Sequence, residues 1–193
     1  MRMVCGFLVA ILLPAAALAQ APGFAVWERP AAGLMIGPSA NGDEGSEDRG
    51  ADINFVFDTP VVFGYRLRAD ASRVGWRFDS PGAPGQPPFE TVTVKSIRLS
   101  ALKVRHMAPR VAGFAGGGYG VYRYEYERSP LHNPWRGGAH AVAGLEITSR
   151  NQRYACVGEV RFHVIDATGQ PPVLMSATLK LDAAIGMKVR LGS

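Results

Sequence analysis

The segment "LKLDAAIGMKVRL", residues 179–191, decides how the rest of the chain is read. Taken every second residue, one row is Leu179, Leu181, Ala183, Ile185, Met187, Val189 and Leu191. The other is Lys180, Asp182, Ala184, Gly186, Lys188 and Arg190. Successive side chains of a β-strand point to opposite faces, so a period of two puts the apolar row on one face and the charged row on the other. What has to be settled is which row meets water.

The same alternation recurs upstream. In 153–166, Glu159, Arg161 and His163 oppose Tyr154, Cys156, Gly158, Val160, Phe162 and Val164. In 137–149, His140, Glu146 and Thr148 oppose Ala141, Ala143, Leu145 and Ile147. In 51–58, Asp52, Asn54 and Asp58 oppose Ile53, Phe55 and Phe57. Helical periodicity is nearly absent. The pattern predicts eight strands, at 31–39, 51–58, 61–79, 89–107, 110–128, 137–149, 153–166 and 176–191, the first of them interrupted by Pro38.

The connections alternate in length. "NGDEGSEDRG", "SPGAPGQPP", "SPLHNPWR" and "ATGQPPVL" are long. Between them fall the short Asp58-Thr59-Pro60, Ala108-Pro109-Arg110 and "SRNQ". Long loops at one end and tight turns at the other describe an up-and-down barrel of an outer membrane. Several strands also reach the ~9–11 residues that a tilted membrane-spanning strand needs, beyond the usual ~5–6 of a soluble one. Two segments change phase midway. In 61–79 the apolar row shifts from Phe63, Tyr65, Leu67 and Ala69 to Val74, Trp76 and Phe78; in 89–107 it shifts from Ile97, Leu99 and Ala101 to Leu102 and Val104. Each is read as a β-bulge or as a strand projecting past the bilayer.

The N-terminus, "MRMVCGFLVAILLPAAALAQ", has a basic start, a short apolar run and Ala17-Leu18-Ala19, so residues 1–19 read as a secretory signal peptide and 20–193 as one barrel domain. Cys156 is then the sole cysteine, which removes an intramolecular disulfide. The net charge is +5 with the cations spread along the chain, so nucleic-acid binding is not expected.

Alternation alone does not orient the rows. A soluble lipocalin-like barrel, periplasmic and binding an apolar ligand, puts the apolar row inside; a membrane barrel reverses it. The alternating loops, the many small residues of the apolar rows (Ala141, Ala143) and the loop-end row Tyr122, Tyr124, Tyr126 favour the membrane. These tyrosines, with Trp135, are the predicted interfacial aromatics. The predicted lumen residues are Arg66, Arg68, Asp70, Arg98, Lys103, Arg105, Arg123, Glu125, His140, Glu146, Glu159, Arg161, His163, Lys180, Asp182, Lys188 and Arg190. Buried charges persist only when paired, so the expectation is an internal salt-bridge network that plugs the barrel and leaves no wide pore.

"PRVAGFAGGGYGVYRYEYER", "GGAHAVAGLEIT" and "YACVGEVRFHVID" resemble the outer-membrane β-barrel domain family that includes the OmpA transmembrane domain, OmpX and opacity-like proteins. The resemblance covers the mature chain, best from Lys95 onward. It implies an eight-stranded, all-β antiparallel transmembrane barrel, inserted by the barrel assembly machinery into the outer membrane of a Gram-negative bacterium. It further implies contact with outer-membrane lipid and a structural or surface-interaction role with an extracellular partner. Chains of this family usually end on an aromatic residue, whereas this one ends Leu191-Gly192-Ser193. A wall-binding domain after the last strand is not expected, and a monomer without cofactor is.

Catalysis finds little support. Some outer-membrane barrels are lipid A deacylases with a His-x-Ser pair, but Ile165 stands two after His163; a meeting of His132, His140 and Ser176 is not specified by the sequence. Asp43, Glu44, Glu47 and Asp48 carry hard oxygen ligands without an EF-hand spacing, so no metal site is assigned. Gly116-Gly117-Gly118 lacks the Lys-Ser/Thr of a phosphate loop. Trp135, with His132 and Arg136, could anchor the barrel or form an outer contact surface.

Overall fold

The computed structural model describes residues 29–41, 49–79, 89–127, 135–166 and 177–191. Eight strands close into one antiparallel barrel: β1 (Ala31–Asn41), β2 (Arg49–Asp58), β3 (Tyr65–Asp79), β4 (Phe89–Ala108), β5 (Val111–Tyr126), β6 (Trp135–Thr148), β7 (Tyr154–Asp166) and β8 (Ala177–Arg190). Each pairs with the next, and β8 returns to β1, so no edge is left unpaired.

The register carries the geometry. Ala31 pairs with Asp58, then the row passes through Arg68, Ser100, Gly118, His140, His163 and Lys180. It returns to β1 at Asn41, ten residues beyond Ala31. That stagger tilts the strands, about 35–45° in barrels of this kind, and leaves an interior that side chains can fill. The ladder between β1 and β8 lapses at Gly37 and Pro38, between Ile36↔Ile185 and Ser39↔Asp182. Pro38 has no N–H to give. Its strand nevertheless continues to Asn41, past the predicted end at Ser39.

The turn between β2 and β3 departs from expectation. It is made at Phe63 and Gly64, both with positive φ (53° and 78°), not at Asp58-Thr59-Pro60. Val62 N–H donates to Tyr65 O at 2.8 Å and Tyr65 N–H to Val62 O at 2.9 Å, the two-residue turn whose twist suits a hairpin. β3 therefore starts at Tyr65, not at 61.

The faces are unambiguous. Leu181 is 54% and Ile185 72% exposed, while Lys188 is 0% and Arg190 4%. Leu34, Phe55, Leu67, Leu99, Leu145 and Val160 are exposed too, forming a continuous apolar belt around the outside. A belt of that extent belongs in hydrocarbon, not water. The lipocalin-like alternative required the opposite polarity and is overturned by it.

Neither phase change is a bulge. β3 and β4 pair without a break from Tyr65↔Lys103 to Asp79↔Phe89; the irregularity in β4 lies at His106/Ala108. The backbone keeps its alternation while the chemistry exchanges faces. Above Ser72 and Ser96 the interior turns apolar, with Val74, Trp76, Val92, Val94, Tyr122, Tyr124 and Ile165 packed as a cluster and Tyr126 against it. On the same strands the exterior turns charged, with Arg73, Arg77, Lys95 and Arg123. At the turn end, Leu102 and Val104 point in and Lys103 and Arg105 point out. The strands are longer than the apolar belt, and each overhang meets water on its outside.

Candidate functional site

The lumen holds one connected chain of ion pairs. At the turn end, Arg190 donates to Glu146 and to Thr148 Oγ1 (2.5 and 3.1 Å). Glu146 also accepts from Arg66 (2.8 Å) and Lys188 (3.1 Å). Both cations continue to Asp58, at 3.1 and 2.6 Å, and Arg68 joins there at 2.7 Å. Arg68 carries the chain to Glu159 (2.5 Å), which also takes Arg161 (2.9 Å). Arg161 then reaches Asp70 (2.8 Å), and Asp70 accepts from Arg98. Beyond it, Asp182 takes Lys180 and His163, each at 2.8 Å. Aromatic faces line the cations: Phe114 lies under Arg68 (4.9 Å) and Lys188 (5.5 Å), and Trp76 under Lys180 (5.6 Å).

These residues come together because the stagger brings inward-facing positions of distant strands to one level. Arg68 and Glu159 are 91 residues apart in sequence. Removing two ions from water is costly, and only mutual attraction with further hydrogen bonds offsets it. Here the carboxylates Asp58, Glu146, Glu159 and Asp70 each accept from two or more cations. The lumen is filled with side chains, with Met35, Val56, Val61, Leu102, Phe114 and Val142 packed beside the network.

Two histidines close the upper end. His163 Nε2 bonds Asp182 at 2.8 Å and its Nδ1 bonds the Tyr122 hydroxyl at 2.8 Å. An ionised Asp182 can only accept, so Nε2 carries the hydrogen and the Tyr122 O–H donates to Nδ1. His140 Nε2 lies 2.8 Å from Ser100 Oγ, a pairing a nucleophilic hydroxyl would need. Both residues are buried, however, and His140 Nδ1 has no hydrogen-bond partner among the described residues to orient the ring. The bond ties β4 to β6 inside the barrel wall.

A sizeable concave feature lies outside the barrel. A groove of about 1020 Å³ crosses the outer wall from Lys103 and Arg105 to Ile36 and Pro38, floored by Ala115, Ala143, Gly158 and Ala183. Small side chains on adjacent strands make it, and it faces the apolar belt.

The outer rim at the loop end is cationic. Arg73, Lys95 and Arg123 are directly opposite one another on β3, β4 and β5, and Arg123 is opposite Trp135 on β6. Lys95 reaches Glu125 at 2.8 Å and Arg123 reaches it at 3.5 Å. The Lys95 hydrogen bond, helped by its charge and that of Arg123, holds the Glu125 carboxyl below its ordinary range.

Of the residues singled out in the sequence, Arg66, Arg68, Asp70, Arg98, His140, Glu146, Glu159, Arg161, His163, Lys180, Asp182, Lys188 and Arg190 face the lumen. Arg123 and Glu125, and likewise Lys103 and Arg105, do not: they lie on the outside, in the overhangs where water replaces lipid. Conversely, Tyr122, Tyr124 and Tyr126 form no girdle. They point into the upper lumen, where Tyr124 and Tyr126 stack at 6.5 Å and Arg136 lies 4.4 Å over Tyr124. Trp135 is exposed at the loop end. Asp58, acceptor for three cations, was not among the predicted lumen residues; it stood in the sequence as the end of a polar row and the start of a short connection. The acidic loop Asp43, Glu44, Glu47 and Asp48, and His132 and Ser176, lie outside the described residues. No group of metal-ligating side chains occurs among the described residues.

No family model matches the chain, and no curated protein matches it. Solved structures do. Neisserial surface protein A (NspA) matches with TM-score 0.58 at 13% identity, covering 84% of this chain and 96% of its own. OprG from Pseudomonas aeruginosa matches with TM-score 0.54 at 10% identity, covering 86% and 97%. Ail, the attachment invasion locus protein of Yersinia pestis, matches with TM-score 0.50 at 12% identity, covering 85% and 99%; it is also known in complex with the heparin analogue sucrose octasulfate. Identities this low speak for the fold alone. With its closed antiparallel register, apolar outer belt and ion-filled interior, the chain has the fold of the small eight-stranded outer-membrane β-barrels.

Proposed function

We propose that this protein is a monomeric barrel of a Gram-negative outer membrane whose role is structural or surface-interacting, without catalysis and without conduction. Residues 1–19 act as a cleaved signal peptide, and the barrel assembly machinery inserts residues 20–193. The observation that carries this reading is the polarity of the wall. Apolar side chains face out around the whole girth, and ion pairs occupy the space that a pore or an apolar cargo would need. With the lumen closed, contact with a partner falls to the outer surface and the long loops. Ail in complex with the heparin analogue sucrose octasulfate supports an extracellular ligand for a barrel of this shape.

Cys156 tests the reading, because its thiol lies on the exposed apolar face of β7. A bimane label on it, in the folded chain reconstituted in bilayers, should be quenched by lipids brominated on their acyl chains. Release of the unlabelled protein from cells by osmotic shock, with no quenching of the label, would exclude the membrane reading.

A further inference from the structure

The change from grease to charge on the outer wall is sharp on three adjacent strands at once. Ala71, Ile97 and Val121 form one outward cross-strand row, each directly opposite the next. The next outward row toward the loops is Arg73, Lys95 and Arg123, again directly opposite one another. Two residues along a strand is a rise of about 6.6–6.8 Å. Within that distance the surface passes from hydrocarbon contact to a line of three cations.

Like charges opposite each other weaken a sheet. Glu125 is shared by Lys95 and Arg123, so three positive charges meet one negative in this set. The side chains are open to a ligand, with Lys95 50% and Arg123 43% exposed and Arg73 exposed. They span two interstrand spacings, about 10 Å. The row ends at Trp135, whose ring lies 5.7 Å from the Arg123 guanidinium carbon. Aromatic rings of this amphipathic kind settle at the level of lipid headgroups.

We infer that the row Arg73–Lys95–Arg123 docks the headgroup of an outer-leaflet lipid carrying more than one phosphate. The acyl chains of such a lipid lie against Ala71, Ile97 and Val121, and its phosphates stand one step higher, at the cations. A single phosphate satisfies one neighbouring pair; the width of the row suits two. Guanidinium and ammonium donors make charge-assisted hydrogen bonds to phosphate, the strong class of such bonds. The inference rests on the membrane reading above, and its test separates the two.

The full chain, folded in zwitterionic micelles, is titrated with diphosphorylated lipid A, its monophosphorylated form and phosphatidylcholine, and bound lipid is counted by native mass spectrometry. The expected order of affinity follows phosphate number. The triple variant Arg73→Gln/Lys95→Gln/Arg123→Gln should bind diphosphorylated lipid A roughly tenfold more weakly. Lys103→Gln/Arg105→Gln, which removes charge from the opposite rim, should leave that affinity unchanged. Heat-modifiable migration on a gel reports folding, and if the triple variant fails it, Lys95→Gln alone takes its place. Equal affinity for all three lipids, equal loss in the Lys103/Arg105 variant, or full affinity in the row variant overturns the inference. So does complete competition by free tripolyphosphate, which would make the ligand a soluble polyanion. A barrel that passes the Cys156 quenching test yet shows any of these results leaves the membrane reading standing.

Discussion

Asp58 accepts from Arg66, Arg68 and Lys188 in a position that is 1% exposed. Asp58→Asn keeps the shape and removes the charge, which leaves buried cations short of a counter-ion. Breaking a buried pair costs about 3–5 kcal/mol. The urea midpoint in detergent micelles should fall accordingly. Glu125→Gln removes a carboxylate that also serves two cations, but outside the barrel and in water. Its unfolding free energy should stay within about 1 kcal/mol of the parent. The two carboxylates, serving three cations and two, lie on opposite sides of the wall. Equal losses in both would refute the assignment of Asp58 and Glu125 to opposite faces. At this scale the sequence was a sound guide wherever a charge sat among apolar alternates in the middle of a strand, as with Lys188 and Arg161. It misled at the strand ends: Arg123 and Tyr122 follow the same alternation, but the solvent outside had changed from lipid to water.

The pairing of β4 with β5 depends on close backbone approach. A Cβ at Gly118 would collide with Leu99 O, and one at Gly116 with Ala101 O, both main-chain atoms of the partner strand. Gly118→Val should therefore destabilise the barrel by at least about 1–3 kcal/mol, the usual cost of overpacking, read as a lower temperature of heat modification. Gly158, on β7, has open space where a side chain would go, and Gly158→Ala should change stability by less than about 1 kcal/mol. The element that faces lipid has its own test. Leu99 lies outward in the interior of β4 and is 49% exposed, and Leu99→Arg puts a charge within the apolar belt. The cost is about 2–4 kcal/mol at mid-bilayer, measurable by reversible unfolding from vesicles. No loss there would place Leu99 in water. Strand existence was legible because an alternation of two is local. The turn at Phe63–Gly64 was not, since a positive φ at phenylalanine has no reliable sequence signature and Pro60 offered a more conventional one.

For the whole molecule, the stagger of ten residues and the linked ion pairs from Arg190 to His163 predict a closed lumen. In planar lipid bilayers the protein should give no steady unit conductance at neutral pH. A reproducible step would mean that the network opens, and Arg68→Ala would then be expected to enlarge it. Closure also leaves no free edge: β1 and β8 pair with each other, so neither end of the sheet is satisfied until the circle is complete.

The sequence by itself determined that the chain forms eight amphipathic strands, that they join by alternating long and short connections, and that charge and grease divide between two faces. Those properties are local: they follow from period-two alternation and from the turn chemistry between runs. Only the tertiary structure decided which cation meets which carboxylate, because Arg68 and Glu159, or Lys188 and Asp58, become neighbours through the stagger of a closed cylinder. It also decided where the outward face passes from apolar to charged on β3, β4 and β5. That boundary is a level in space that neighbouring strands share through their register, and no single strand records it.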